Sequence, residues 1–418
     1  MPRPVLSTDQ NCFPRLRNIE LFPIEQGGEK FIGLRDPSGI AEGPLFLSAP
    51  ALSLLSLLDG CHSIEAIQTI CDRRYGQKLA REQIDALVGR LDECLFLDSP
   101  NFQRAQNAIM EDFRASSVRK AAHAGNGYPA THNELSFALD RYFLAADGPG
   151  SLPASSGQKP IQGLIAPHID FHRGGACYAW AYGELAAAAE ADVYLILGIG
   201  HAGLRQFYTL TEKEFNTPLG TLKTDHDFVR HIRELCPFDL LDDEPVHRRE
   251  HSVEFQVVFL QHILKNRPNV QIVPILCGSF HSLIQSGTSP KEHPAVLGFI
   301  SAVRQAIASC GKRVCVIAGV DLAHVGIRFG DQEPLTAGFL DEVREADGRL
   351  LRHIEKLDAE ALFQDIRHDQ DRRRICGYPA IYTLLSVVDA REGRLLRYEQ
   401  AADAASQQAV TFASMVLR

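Results

Sequence analysis

No stretch of this chain approaches the ~18 consecutive apolar residues of a membrane span. Its opening, Met-Pro-Arg-Pro-Val-Leu-Ser, lacks the apolar core of a secretory signal. From both absences a cytoplasmic chain with no membrane partner is expected. Cations are also short: 43 Lys+Arg against 52 Asp+Glu leave a formal charge of -9. Without a local basic patch, that balance excludes a sequence-independent grip on nucleic-acid phosphates. The ten cysteines never pair as Cys-x-x-Cys, so they make no disulfide framework and read mostly as reduced core residues. No repeat of solenoid period is present.

What remains is a globular composition, 45% hydrophobic and 23% charged over 418 residues, enough for two domains. Between Pro44 and Ser99 the pattern is helical. An apolar run at Leu52, Leu54, Leu55, Leu57 and Leu58 stops at Asp59-Gly60. Ser63 then caps a predicted helix over Ile64 to Tyr75, ended by Gly76, and Ile84, Leu87, Val88, Leu91 and Leu95 form one buried stripe. Leu95-Phe96-Leu97 reads as a short closing strand, and 101–118 as a polar helix. Three small helices and a strand suggest a small helical, winged-helix-like domain over 1–110. Arg81 to Glu93 carries only Arg81 and Arg90 against four acids, which argues against DNA reading.

From Ile161 onward, strands predicted at 164–166, 193–197, 272–276 and 314–318 alternate with helices predicted at 177–189, 252–264, 295–308 and 381–388. That alternation implies an α/β domain over 118–418, with a mostly parallel or mixed central sheet and helices on both faces. Ligands in such sheets bind at the carboxyl ends of strands. Here those ends read Ala-Pro-His168-Ile-Asp170, Gly-Ile-Gly-His201 and Gly-Val-Asp321-Leu-Ala-His324. One strand-end histidine is usually a structural hydrogen-bonder; three on one rim point to a site. Glu250-His251-Ser-Val-Glu254 opens a helix, where capping explains the acids equally well. Cys376, after Arg372-Arg373-Arg374 and before Gly377, is placed where cations would favour a thiolate.

Taken in order, Ala-Pro-His, Ile-Leu-Gly-x-x-His, Glu-His-Ser-x-Glu, Asp-x-x-His and Ile-Cys-Gly-x-x-Pro, with Tyr128-Pro-Ala…Glu134-Leu135 upstream, resemble the Memo family, the protein B of the AmmeMemoRadiSam set. The resemblance implies a fold related to class III extradiol dioxygenases of LigB type. It also implies one metal held by His168, His201 and Cys376, with Asp321, His324 and His251 in the polar shell as acid/base candidates. The first motif reads Pro-His-Ile-Asp170-Phe-His172 where many members have Pro-His-Ala-Gly-Tyr, so Asp170 and His172 add polar groups, with Glu250 and Glu254, as expected substrate or support residues. Residues 40–100 are similar to PqqD-like adaptors, which implies a protein partner, by resemblance a radical SAM or other AmmeMemoRadiSam component.

Two imidazoles and one anion with open positions follow the facial-triad logic of non-haem iron, the favoured metal. The soft thiolate lets copper or zinc compete, so ligand identity alone does not fix the metal. Three functions stay open: a mononuclear redox, dioxygenase-like enzyme acting on O2 or a small phenolic or modified-peptide substrate; a non-catalytic metal- or peptide-binding scaffold; and a zinc-dependent hydrolase.

Overall fold

The computed structural model describes residues 13–418 except 49, 50, 77, 266 and 268, so the opening segment read for a signal lies outside the described residues. The chain divides after Ala115 into two compact units.

The first unit opens with an antiparallel sheet of β1 (Glu20–Gln26), β2 (Glu29–Arg35) and β3 (Leu45–Ser48), in that order. Gly27 and Gly28 both take positive φ, as a two-residue hairpin turn requires. The helical reading of this unit had no place for these strands. Four helices follow: α1 (Ala51–Leu55), α2 (Ile64–Tyr75), α3 (Arg81–Glu93) and α4 (Pro100–Ala115). Helix α2 has the predicted bounds because Ser63 accepts a bond from the Ala66 N–H and Gly76 ends it at φ 64°. Leu95-Phe96-Leu97, however, is no strand. Leu95 turns left-handed, at φ 64°, and Leu97 makes only an isolated bridge to Leu16. Leu34, Leu47, Leu54, Ile67, Ile84 and Leu91 meet in the core of this unit.

The second unit begins with β4 (Val118–Arg119), α5 (His132–Leu144), β5 (Gly163–Ala166), α6 (Phe171–Ala187) and β6 (Val193–Ile199). Three short strands, β7 (Tyr208–Leu210), β8 (Glu214–Thr217) and β9 (Gly220–Thr224), lead to α7 (His226–Leu235), α8 (His251–Ile263) and β10 (Gln271–Cys277). Then come α9 (His281–Ser286), α10 (Pro294–Ser309), β11 (Val314–Gly319), β12 (His324–Val325), α11 (Ala337–Glu355), α12 (Ala359–His368) and α13 (Tyr378–Val387). A hairpin of β13 (Gly393–Asp403) and β14 (Gln408–Leu417) ends it.

These strands make one mixed sheet in the order β12-β14-β5-β11-β6-β10-β9-β8-β4, with β13 on β14 and β7 on β10. Its centre, β5-β11-β6-β10-β9, is parallel. Both faces are covered. Alternate residues of each central strand point to opposite sides, so Leu164, Ile196 and Ile317 pack with α5, α6 and α8. Ile165, Leu195, Val316 and Ala318 pack with α7, α10, α11 and α13. Continuous apolar strands are what a sheet buried on both faces demands. Among the described residues no helix is long and apolar enough to cross a membrane.

Candidate metal centre

The chain runs outward from β5 to β6 to β10 and then returns to insert β11 between β5 and β6. That insertion puts the ends of three adjacent parallel strands side by side, the position where open α/β sheets bind ligands. His168 follows β5, His201 follows β6, and Asp321 follows β11. Helix α8 delivers His251 to the same point because its first turn lies against the strand ends. A Cβ on Gly319 would meet the Ser252 carbonyl oxygen at 2.7 Å, so only glycine admits this approach. Cys376 arrives just before α13, and a Cβ on Gly377 would collide with the Asp321 carbonyl.

The donor atoms of His168, His201 and His251 lie within 4.8 Å of one another, a group that could hold a metal ion. Their rings stand 4.8 to 5.1 Å apart between centroids. Cys376 Sγ lies 3.4 Å from His168 Nε2. Three imidazoles of the cluster have their Nδ1 engaged in a hydrogen bond. His168 Nδ1 faces the Gly319 carbonyl at 3.0 Å. The Glu250 carboxylate receives His201 Nδ1 at 3.1 Å and stands 3.2 Å from His251 Nδ1 as an ion-pair neighbour without a hydrogen bond. His324 Nδ1 points at the Leu322 and Arg374 carbonyls, each 3.2 Å away. A ring nitrogen facing an acceptor carries the proton, which leaves Nε2 as the lone-pair donor of His168, His201 and His324.

Electrostatics keep His168 and His251 in the neutral form a cation needs and act the other way at His201. Burial, seconded by His201, holds His168 to a pKa of about 3. Burial likewise keeps His251 well below its ordinary value, against the pull of Glu250. At His201 burial also opposes the charge, but the Glu250 hydrogen bond and carboxylate outweigh it and raise the pKa. Burial pushes Asp321 up to about 6, partly offset by His324 and by the His168 and Ile169 N–H groups.

Several expected contacts are absent. Asp321 does not touch the His324 ring. Its Oδ1 accepts from the His168 N–H at 2.9 Å and the Ile169 N–H at 3.2 Å, so it orients the segment that carries His168. The three arginines before Cys376 do not favour a thiolate either. Arg373 is spent on Asp347 and Asp369, and Arg374 on Asp331. Burial, with Asp321 close by, pushes the Cys376 thiol well above its ordinary value. Asp170 is the N-cap of α6, bonding the N–H and guanidinium of Arg173, while His172 pairs with Asp170 at an 80% exposed position.

Glu254 does not reach the imidazoles. Fully buried, it takes Arg119, the Ala122 and His123 N–H groups and the Tyr128 hydroxyl. Arg119 also binds the His247 and Glu250 carbonyls, at 3.0 and 2.9 Å, and so ties β4 to the start of α8. Nothing in the sequence signalled Arg119, one of two adjacent cations before a loop. His123, whose ring lies 5.8 Å from that of His251, was equally silent.

His201 and Cys376 open into a cleft of about 590 Å³ walled by Phe207, His293, Asp371 and Tyr378 among others. That volume suits a small organic molecule.

A model of the Memo-like protein family matches residues 119–416, nearly the whole second unit. The chain is 26% identical over 401 residues to a MEMO1 family protein of Aquifex aeolicus, spanning 95% of this chain and 98% of that protein. It is 31% identical over 312 residues to one from Pyrococcus furiosus, spanning 72% and 99%. For one from Methanobrevibacter smithii the identity is 30% over 293 residues, spanning 68% and 94%.

Proposed function

Because the chain belongs to the Memo-like protein family, we infer that its second unit holds one transition-metal ion, iron in preference to copper or zinc, at His168, His201 and Cys376. We read it as a redox, dioxygenase-like enzyme for a small phenolic or modified-peptide substrate. The observation that carries the ligand set is the 3.4 Å between Cys376 Sγ and His168 Nε2. Ligand bonds of ~2.0 Å to nitrogen and ~2.3 Å to sulfur place two tetrahedral ligands about 3.5 Å apart. The pair is therefore already at the separation of two ligands, with a proton where a cation would lie. His201 Nε2, freed by Glu250, is the third donor.

Two neutral imidazoles and one thiolate on one side of an iron would leave positions open to O2 or a substrate oxygen. Around that point the chain supplies proton chemistry and orientation. His324 is held neutral by burial, and its Nδ1 is tied to two carbonyls, so Nε2 is the atom that takes up a proton first. Asp321 fixes His168 through its backbone, and Glu250 fixes His201 by hydrogen bonds and lies beside His251. Phe207 and Tyr378 give the cleft aromatic walls for a flat substrate.

A second reading takes His251 in place of Cys376, favoured by the spacing of the three imidazoles. Three neutral nitrogens suit zinc and hydrolysis. Metal titration of three variants decides. Cys376→Ser should lower affinity by about tenfold or more, and His251→Asn by much less, since loss of a ligand exceeds loss of a supporting residue. Cys315→Ser, a fully buried strand position, should leave affinity unchanged and controls for destabilisation. A large loss in His251→Asn with none in Cys376→Ser would replace the thiolate reading by the zinc one.

A further inference from the structure

Asp347 of α11 is fully buried and belongs to none of the motifs above. Its carboxylate receives the Arg373 guanidinium at 2.6 Å, the Thr411 hydroxyl at 2.6 Å and the Tyr398 hydroxyl at 2.9 Å. Two of these partners lead to the candidate centre along separate routes. Thr411 Oγ1 accepts from the Ala323 N–H at 2.8 Å, and the Thr411 backbone exchanges bonds of 2.7 and 2.9 Å with Leu322 and Ala323. Those residues sit between Asp321 and His324. Arg373 lies three residues before Cys376, and its carbonyl accepts from the His324 N–H at 2.8 Å.

The segment that Arg373 anchors needs an anchor. Gln370, Asp371 and Arg374 all take positive φ, between 51° and 56°, a region L-residues adopt only when their surroundings impose it. Arg373 is 5% exposed, so its charge must be met inside the protein. Its other acid, Asp369, has a side chain 25% exposed and comes from the same turn, so it cannot fix that turn to the rest of the fold. Asp347, on a different helix, can.

We propose that Asp347 is a positioning residue: one buried carboxylate that, through Arg373 and Thr411, fixes the Cys376 loop and the Asp321–His324 segment against each other. Its role at a metal rests on the ligand reading above. Its role in placing the thiol does not.

The test is therefore made first on the full chain freed of metal by chelation. The alkylation rate of Cys376 by iodoacetamide is followed by peptide mass spectrometry. Asp347→Asn should raise that rate about tenfold or more, as a loosened loop opens to reagent. Tyr398→Phe removes a bond that leads to neither segment and should change it less than about twofold. The double variant Asp347→Asn/Arg373→Gln also removes the guanidinium that would be left with Asp369 alone, so it should recover thermal stability while the fast alkylation persists. A merely structural carboxylate would lower stability without moving the alkylation rate, and that result overturns the proposal.

Should Asp347→Asn fail to fold, Thr411→Val cuts only the second route. It should speed amide exchange at 322–324 about tenfold and leave Cys376 alkylation as in the parent. Unchanged exchange there counts against the proposal. Cobalt(II) titration then separates the two readings. A sulfur-to-cobalt absorption band in the parent that fades in Asp347→Asn supports both. No band in the parent alongside fast alkylation in the variant removes the thiolate ligand but keeps the positioning role.

Discussion

Glu254→Gln is the sharpest probe of how the second unit holds α8 against the strand ends. The wild-type carboxylate has all its lone pairs engaged: N–H groups of Ala122 and His123 at 3.0 Å each, the Tyr128 hydroxyl and the Arg119 guanidinium. Arg119 is 1% exposed and Glu254 is 0% exposed, so neither charge can fall back on water. A glutamine keeps the volume but offers one oxygen, and turns an NH2 toward donors that need an acceptor. Breaking such a pair by removing one partner costs about 3–5 kcal/mol, because the remaining charge stays buried and unpaired. Urea unfolding gives the number directly. The double variant Arg119→Met/Glu254→Leu removes both charges and should lose much less than the Arg119→Met and Glu254→Leu losses summed, with a coupling of about 2 kcal/mol or more. A Glu254→Gln loss below about 1 kcal/mol, or singles that simply add, would mean the pair is screened and does not lock β4 to α8.

Three further outcomes follow from the same geometry. His247 is buried with neither ring nitrogen hydrogen-bonded, and burial, with Arg119 nearby, holds it to a pKa of about 3 against an ordinary 6.5. The folded value is the lower one, so the unfolded chain takes the proton first and stability falls as pH drops through 6.5. Between about pH 7 and about pH 5.5 the loss is about 1 kcal/mol, and His247→Leu should abolish that part of the slope in urea titrations; an unchanged slope would show that His247 already carries its proton in the fold. His324→Ala should keep metal content while turnover falls about 10²–10⁴-fold, whereas Asp321→Ala, which frees the His168 backbone, should weaken metal binding itself; a metal-depleted His324→Ala would make His324 a ligand. Because all core residues of the second unit lie beyond Ser116, a chain of residues 116–418 should fold and give a cooperative thermal transition; an unfolded product would place the boundary elsewhere.

How much of this was legible depended on how far apart in sequence the cause and its effect lie. Helix α2 was readable to the residue because its stripe, its Ser63 cap and its Gly76 stop are all local. The strand-end histidines were readable because topology, once βα alternation is recognised, sends every strand end to one rim. The hairpin of β1 and β2 was missed although its signal was present: Gly27-Gly28 between alternating runs, with Pro23 confined to an edge strand. Helical periodicity downstream drew the whole unit toward helix, and the sheet supplying Leu34, Leu45 and Leu47 to its core was overlooked.

Partners are a different matter from elements. Asp321 stands three residues before His324, yet it accepts from a backbone N–H 153 residues away. Three consecutive arginines suggested a positive field at Cys376, yet two of them are neutralised by Asp347, Asp369 and Asp331, residues that sequence gives no reason to join to them. Asp-Phe-His after the first strand looked like extra site chemistry and is helix capping with an exposed ring. In each case the residue type was read correctly and its partner was not. A charge in a folded protein acts through what neutralises it, and neutralisation is settled by burial and by contacts between distant segments. Fold and ligand candidates can therefore be read from strand ends and order, while protonation and orientation, on which any chemistry at His168, His201 and Cys376 turns, are set by Glu250, Asp321 and the other buried acids around them.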